Sequence, residues 1–366
     1  MEKTNLHEYF GKIKDPRINR KKKHLLIDII VLSVIAVICG AESWDSIEEF
    51  GNSRKDFLKK ILDLPNGIPS HDTINRVFSL IKPEQFEEIF CRWTDSIRER
   101  GINAEVLSID GKTVRGSKDS YHNKPPLHLV SVWANTNGIT LGQRKVEGKT
   151  NEITAIPELL DMIDIKGCIV TIDALGTQRK IAEKIVNHGA EYILALKGNH
   201  EYLKEDVESL CNRISADSND KTIEKSHGRI ETRTCHVFSQ IDLLENKAQW
   251  ENFKSVIRIE ATREIKDKQS NETRYYISSL KEDAKNFNQF IRKHWGIENS
   301  LHWTLDMVFR EDEQRKRQGY AAENFAVVRK VALNLLKKED SKKMSLVTKR
   351  LKAAWDFSFL LKILNF

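Results

Sequence analysis

Two short apolar runs end on an aspartate: Val106-Leu-Ser-Ile-Asp110 and Cys168-Ile-Val-Thr-Ile-Asp173. Each has the length of a buried strand and is followed by a break, Gly111-Lys112 in the first case and Ala174-Leu-Gly176 in the second. A carboxylate at the end of a buried strand stands at the edge of the sheet, where ligands bind in α/β folds. Singly, either aspartate reads as a turn cap. Two such ends in one sheet fit a shared metal or acid–base site equally well.

The pattern around them fixes the class. Residues 25–39 are almost wholly apolar, as in a helix covered on every side, and 44–50 and 55–62 are short amphipathic pieces. After the turn cluster Pro65-Asn-Gly-Ile-Pro69, Ser70 has the chemistry of an N-cap for a helix over 71–81. That helix, with apolar Ile74, Val77, Phe78 and Ile81, reads as a core helix before it reads as a DNA-recognition helix. Pro83 opens the next helix, which ends near Arg98. Beyond Gly101 the periodicity changes. Strands are expected over 127–133 and 139–146, joined by the hairpin signal Asn135-Thr-Asn-Gly138. Helices follow over 152–163 and 178–187, with a buried strand over 192–196. Strands alternating with helices indicate a mixed sheet with helices on its faces. Alternation over 233–238, 255–261 and 273–278 marks a β-rich insertion, and helix returns at 286–303 and 321–336 before a basic, amphipathic tail.

Composition excludes several classes. With 366 residues, 40% apolar and 31% charged, the chain is globular and long enough for two or three domains. A net charge of +7 permits a polyanionic partner without requiring one. Five scattered cysteines, with no Cys-x-x-Cys pair, suit free thiols in a reducing compartment. The polar start is no signal peptide, and the apolar run 25–41 contains Asp28 and is too short to span a bilayer. A buried helix in a cytoplasmic protein is expected.

A third feature is Arg292-Lys-His-Trp-Gly-Ile-Glu298-Asn-Ser-Leu-His302-Trp-Thr-Leu-Asp306. On a continuous helix Glu298, His302 and Asp306 fall on one stripe at i, i+4 and i+8. A solvated polar stripe is the plain reading, but the crowding of two tryptophans and two histidines is dense for a surface helix. His294 and His302 do not make a zinc pair, because neither their spacing nor a cysteine partner supports one.

Asp110 in Ile-Asp-Gly-Lys, Asp173 in Thr-Ile-Asp-Ala and Glu298 in Trp-Gly-Ile-Glu-Asn resemble the acidic triad of DDE transposases. More narrowly, the chain resembles the bacterial insertion-sequence group that includes H-repeat-associated proteins. The phrases that carry this are Asp15-Pro-Arg17, Val37-Ile-Cys-Gly-Ala41, Ser70-His-Asp-Thr73, Asp110-Gly-Lys-Thr-Val-Arg115, Leu196-Lys-Gly-Asn199, His227-Gly-Arg-Ile-Glu-Thr-Arg233 and His294-Trp-Gly-Ile-Glu-Asn299. They stand in family order over nearly the whole chain. Many related transposases place a Tyr, an Arg and a later Lys around the catalytic Glu; here those positions hold Ile291, His294 and Leu305. The narrower group uses His294, Asn299, His302 and Asp306 instead.

The resemblance implies an RNase H-like, mixed-sheet catalytic core interrupted by the β-rich insertion and preceded by an all-helical domain. The boundaries expected are 1–100 for the helical, DNA-end-binding domain, 101–213 for the first part of the core and 214–283 for the insertion. The Glu-bearing helices follow over 284–338 and the tail over 339–366. Asp110, Asp173 and Glu298 would be both catalytic residues and ligands of two Mg²⁺ ions, with Mn²⁺ as a substitute, and Glu298 is favoured over Asp306 for the third place. The implied reaction is strand cleavage at element ends and transfer of 3′-hydroxyls to target DNA. The partners implied are the terminal inverted repeats, target DNA and a second copy or more of the chain, acting at the nucleoid. Phosphate contacts are expected from Arg17, Arg20, Lys21, Lys22 and Lys23, a charge run that otherwise reads as a solvated face, and from Lys112 and Arg115. His227, Arg229, Arg233, His294 and His302 complete the expected DNA-binding set. Two other readings remain: a domesticated or inactive DNA-binding relative, and an RNase H-like nuclease without strand transfer.

Overall fold

The structure, a computed structural model, describes residues 5–19, 22–101, 104–146, 151–226, 228–266 and 268–364. In chain order the helices and strands run α1 (Asn5–Phe10), α2 (Leu26–Ile38), α3 (Trp44–Ser53), α4 (Lys55–Leu58), α5 (His71–Leu80), α6 (Pro83–Ile97), β1 (Val106–Val114), β2 (Leu127–Ala134) and β3 (Ile139–Val146). They continue with α7 (Glu152–Met162), β4 (Ile169–Ile172), α8 (Arg179–Asn187), β5 (Glu191–Leu196), α9 (Glu201–Arg213), β6 (Ser218–Ser226), β7 (Arg229–Phe238), β8 (Ser255–Ile265) and β9 (Lys268–Ser278). Last come α10 (Ala284–His294), α11 (Trp303–Met307), α12 (Ala321–Lys338), α13 (Leu346–Trp355) and α14 (Phe357–Leu364). The α/β class expected from the strand–helix alternation is the class observed.

The chain divides into two compact units. The first comprises Met1–Arg100, Gly111–Lys149 and Glu298–Phe366, and the second Gly101–Asp110 and Thr150–Ile297. Strand β1 passes from the second to the first at Asp110.

The first unit is mainly helical. The apolar run becomes α2, buried along its length. Asp28 within it accepts the backbone N–H of Leu64 at 2.8 Å, which explains one acid in an otherwise apolar helix. Burial raises the Asp28 pKa, against the two backbone donors that lower it. Ser43 and Ser46 form a capping box at α3, Ser70 caps α5 as its chemistry predicts, and Pro83 starts α6. Each cap contributes on the order of 1 kcal/mol. Rings of Phe10, Phe78, Phe86, Trp93 and Phe325 interlock in the core. Gly138 turns the β2–β3 hairpin at a positive φ of 66°, donating to the Ala134 carbonyl at 2.8 Å. Among the described residues, no helix is long and apolar enough to cross a membrane.

The second unit is built on a sheet in the order β1-β4-β5-β9-β8-β7-β6. β1, β4 and β5 are parallel, and β9, β8, β7 and β6 add antiparallel. The β-rich stretch therefore extends this sheet directly, through pairs such as Ile193 with Ser278. One face is closed by α10, whose Ala284, Phe287 and Ile291 pack on Val106, Ile169, Cys235, Val237 and Ile257. The edge strand β6, Ser-Asn-Asp-Lys-Thr-Ile-Glu-Lys-Ser, has no apolar alternation and takes its form from pairing with β7.

Two expectations about secondary structure are corrected. β1 does not end at Asp110 but continues to Val114, so Gly111-Lys112 is strand and not a break. The single helix over 286–303 is also interrupted: α10 stops at His294, and Ile297–His302 is π-helical before α11. A π segment changes the residues per turn, so Glu298, His302 and Asp306 do not form the expected i, i+4, i+8 stripe.

Candidate active site

In the second unit, β1 and β4 pair in parallel with Ile109 opposite Ile172. Asp110 and Asp173 are the next residues, Asp110 within β1 and Asp173 just past the end of β4. Strands in a sheet lie about 4.8 Å apart, and residues at one register project to the same face. β4 ends at Ile172 while β1 runs on, so both carboxylates fall where the ladder between them stops. Both are half-buried.

The loop after β4 fixes the direction of Asp173. Its Oδ1 accepts the backbone N–H of Leu175 at 3.1 Å and of Gly176 at 3.4 Å, an Asx turn. Thr177 donates its hydroxyl to the Ala195 carbonyl at 2.7 Å, and Asn199 donates to the Ala174 carbonyl at 2.6 Å. Leu196-Lys-Gly-Asn199 therefore braces the aspartate loop. A Cβ at Gly176 would stand 2.3 Å from Ile172 Cγ2 and 2.8 Å from Ile156 Cδ1, so this turn closes only with glycine.

Below the aspartates the same face is polar. Ser108 and Thr171 precede Asp110 and Asp173 by two residues and are opposite each other in the ladder. Thr171 Oγ1 lies 3.2 Å from Ser108 Oγ, 3.3 Å from the Leu107 carbonyl and 3.0 Å from His294 Nδ1. The C-terminal end of α10 is thus pinned beneath the carboxylate pair. Burial pushes the His294 imidazole down to about 4, against the pull of Asp173 and Thr171. A residue with that pKa is neutral at pH 7. Ser108 and Thr171 went unremarked in the sequence, although a polar residue two places before each strand-borne aspartate was a visible signal.

In the first unit, Lys112 turns inward, with 10% of its side chain exposed. Its Nζ lies 2.7 Å from Asp306, 3.1 Å from Asp312 and 3.5 Å from the buried Glu311. Burial opposes its charge, but these three carboxylates outweigh burial and hold its pKa above the ordinary value. Lys112, expected as a phosphate contact, is thus paired with three carboxylates of its own unit. Asp306 is engaged by it, which bears on the choice between Asp306 and Glu298: the Glu298 side chain is exposed. His302 is driven down to about 3, by burial first and then by Lys330 and Lys112, so it too is neutral. Arg115, in contrast, leaves 85% of its side chain exposed beside Asp312.

The N-terminal cations divide in the same way. Arg17 is buried, forked onto Asp15 at 2.9 and 2.8 Å and donating to the His24 carbonyl at 2.7 Å. These bonds tie Arg17, expected as a DNA contact, to its own loop. Lys22 and Lys23 are exposed; Arg20 and Lys21 lie outside the described residues, as does His227. Arg229 is half-exposed and Arg233 is buried.

Carboxylate oxygens are the donors that hard divalent cations prefer, and the Asp110–Asp173 pair offers them from adjacent strands. Among the described residues, no group of three or more His, Cys, Asp or Glu is arranged to hold a metal ion.

Comparison with known proteins gives the family. Residues 102–335 match the family described as Transposase DDE domain, and residues 7–94 match the one described as DDE_Tnp_1-associated. The chain is 43% identical over 374 residues to "Putative transposase YncI" of Escherichia coli O157:H7, covering 100% of this chain and 95% of that protein. It is 41% identical over 374 residues to "H repeat-associated putative transposase YhhI" of Escherichia coli strain K12, covering 100% and 98%. Among solved structures, the piggyBac transposase synaptic complex with hairpin DNA aligns at a TM-score of 0.44 and 12% identity, over 98% of this chain and 77% of that one. The family match covers residues 102–335, more than half of the chain, and the chain belongs to the transposase DDE-domain family.

Proposed function

We propose that the chain is a DNA transposase that cuts strands at the ends of its element and joins the freed 3′-hydroxyls to target DNA. The observation that carries this reading is the placement of Asp110 and Asp173, each the residue directly after the last pair of two adjacent parallel strands, Ile109 opposite Ile172. Glu298 is the third acid, since its carboxylate is exposed while Asp306 is held by Lys112. Two Mg²⁺ ions, or Mn²⁺ in their place, would be held by Asp110 and Asp173, with Glu298 as the third ligand that the family resemblance implies, and would supply charge neutralisation on the scissile phosphodiester together with activation of the attacking hydroxyl.

The rest of the work belongs to the chain's own groups. The Leu175 and Gly176 amides hold one oxygen of Asp173, so its carboxylate keeps one direction. His294, being neutral, ties α10 to Thr171 without bringing a cation to the acids. Arg115, Lys22, Lys23 and Arg229 offer charge to solvent and are the phosphate contacts in this reading. Binding two element ends at once requires a dimer or larger assembly on DNA.

The test is a strand-transfer reaction with the purified full chain, a supercoiled target and labelled duplexes carrying the cognate inverted repeats in Mg²⁺. Joined products are expected. Cutting without joining would make the chain a nuclease, and tight binding without cutting a DNA-binding relative.

A further inference from the structure

In the second unit, a cavity of about 190 Å³ lies between α10 and the strands β6 and β7, lined by Arg233, Arg292, Lys285, Asn288, Glu224 and Glu231 among others. Arg233 forms its buried wall at 7% exposure. Its Nη1 is buried and makes no hydrogen bond among the described residues. Its nearest acid oxygen, Glu231 Oε1, is 3.7 Å from Nη2, an ion-pair distance too long for a hydrogen bond.

Glu231 is also shared. Arg292 approaches it at 3.5 Å, Arg229 at 3.7 Å and Arg263 at 3.8 Å. The other two acids in the lining are committed: Glu224 to Arg292 at 2.5 Å and Asp220 to Asn288 at 2.7 Å. Four guanidiniums around one carboxylate leave Arg233 short of acceptors. A guanidinium carries five N–H donors in a planar fork, and burying one without acceptors is unfavourable unless a ligand completes it. The complementary chemistry is a compact oxyanion with several acceptor oxygens, which guanidinium forks bind in bidentate fashion.

We infer that this cavity seats one phosphate of a DNA backbone, gripped by Arg233 and Arg292 with Lys285 at its rim. The inference rests on the DNA reading above and adds a placement. Arg292 stands two residues before His294 on α10, whose end is fixed under Asp110 and Asp173 through Thr171. A phosphate held here anchors a strand to the helix that is locked onto the aspartate-bearing strands. Burial, then the neighbouring Arg292, lowers the Arg233 pKa, as expected of a cation that lacks its counter-charge.

The test is fluorescence anisotropy of a labelled duplex with the full chain in EDTA, so that no chemistry occurs, across a range of salt. Arg292→Gln should weaken binding several-fold and lower the salt slope by about 1, Arg233→Lys should weaken binding several-fold by losing the guanidinium fork while its retained charge keeps the slope, and exposed Lys166→Gln should do neither. Inorganic phosphate at constant ionic strength should compete with DNA for the wild type more strongly than chloride, and lose that advantage in Arg292→Gln. Should Arg233→Lys fail to fold by circular dichroism, Arg292→Gln decides alone. Unchanged affinity and slope in a folded Arg292→Gln would overturn the inference, as would phosphate binding that leaves DNA affinity independent of Arg292. A wild type that binds no DNA would overturn the functional reading along with it.

Discussion

His294 Nδ1 lies 3.0 Å from Thr171 Oγ1, and Thr171 stands two residues before Asp173 on the same run of chain. The hydroxyl also meets Ser108 Oγ and the Leu107 carbonyl, so one side chain joins β1, β4 and α10. Thr171→Val keeps the shape and removes the hydroxyl, leaving buried polar partners unsatisfied. It should cost about 1–3 kcal/mol in urea unfolding and reduce cleavage more than DNA affinity. Wild-type stability and cleavage would show that the junction supports neither.

The two histidines make acid stability testable. His294 is held down to about 4 and His302 to about 3, in both cases by burial first. An unfolded histidine takes up its proton near 6.5, so the unfolded state binds more protons than the folded one below that pH. The stability from keeping both neutral is complete above 6.5 and is lost as pH falls through 6.5 toward 4. Urea midpoints measured from pH 7 to pH 4.5 should fall, and His302→Gln should flatten the decline. A variant with the wild-type slope would rule His302 out as a source of it.

Lys112 should matter for folding. Lys112→Met strips the cation from Asp306, Asp312 and the fully buried Glu311, and breaking such a buried cluster should cost about 3–5 kcal/mol. Adding Glu311→Gln to it should recover part of that loss in a double-mutant cycle. A Lys112→Met protein of unchanged stability but weakened DNA binding would restore the residue to the surface role that the sequence suggested.

The basic N-terminal run should separate into two kinds of cation. Arg17→Ala removes charged hydrogen bonds to Asp15 and the His24 carbonyl, and should destabilise by about 1.5–3 kcal/mol. Lys22→Ala with Lys23→Ala should leave the unfolding midpoint alone and lower the salt slope of DNA binding by about 0.9 for each phosphate these lysines neutralise. The reverse pattern would exchange their roles.

The two carboxylate strands were legible because each sets an acid directly after a short, mostly apolar run, although β1 continues past its acid. Ser70, Pro83 and Gly138 marked their elements for equally local reasons: a cap, a fixed φ and a turn that needs positive φ. What escaped depends on distant partners. β6 is a strand only because β7 pairs with it. The break at Trp295-Gly296 and the π segment after it carry no local signal as strong as the helical periodicity on either side. Charge was the least legible property. Arg17 and Lys112 read as surface cations until Asp15, Asp306, Glu311 and Asp312 are brought beside them. His294 read as a possible cation until burial, against the opposing pull of Asp173 and Thr171, took its pKa down to about 4.

The central claim is that Asp110 and Asp173 act together in DNA strand chemistry. The most direct measurement is strand cleavage by Asp173→Asn and Asp110→Asn on a duplex carrying the element ends in Mg²⁺, with DNA binding followed in parallel. The amide keeps the shape of the side chain and removes its charge. Cleavage is predicted to fall to background in both variants while binding stays at the wild-type level. Cleavage retained by either variant would contradict the claim.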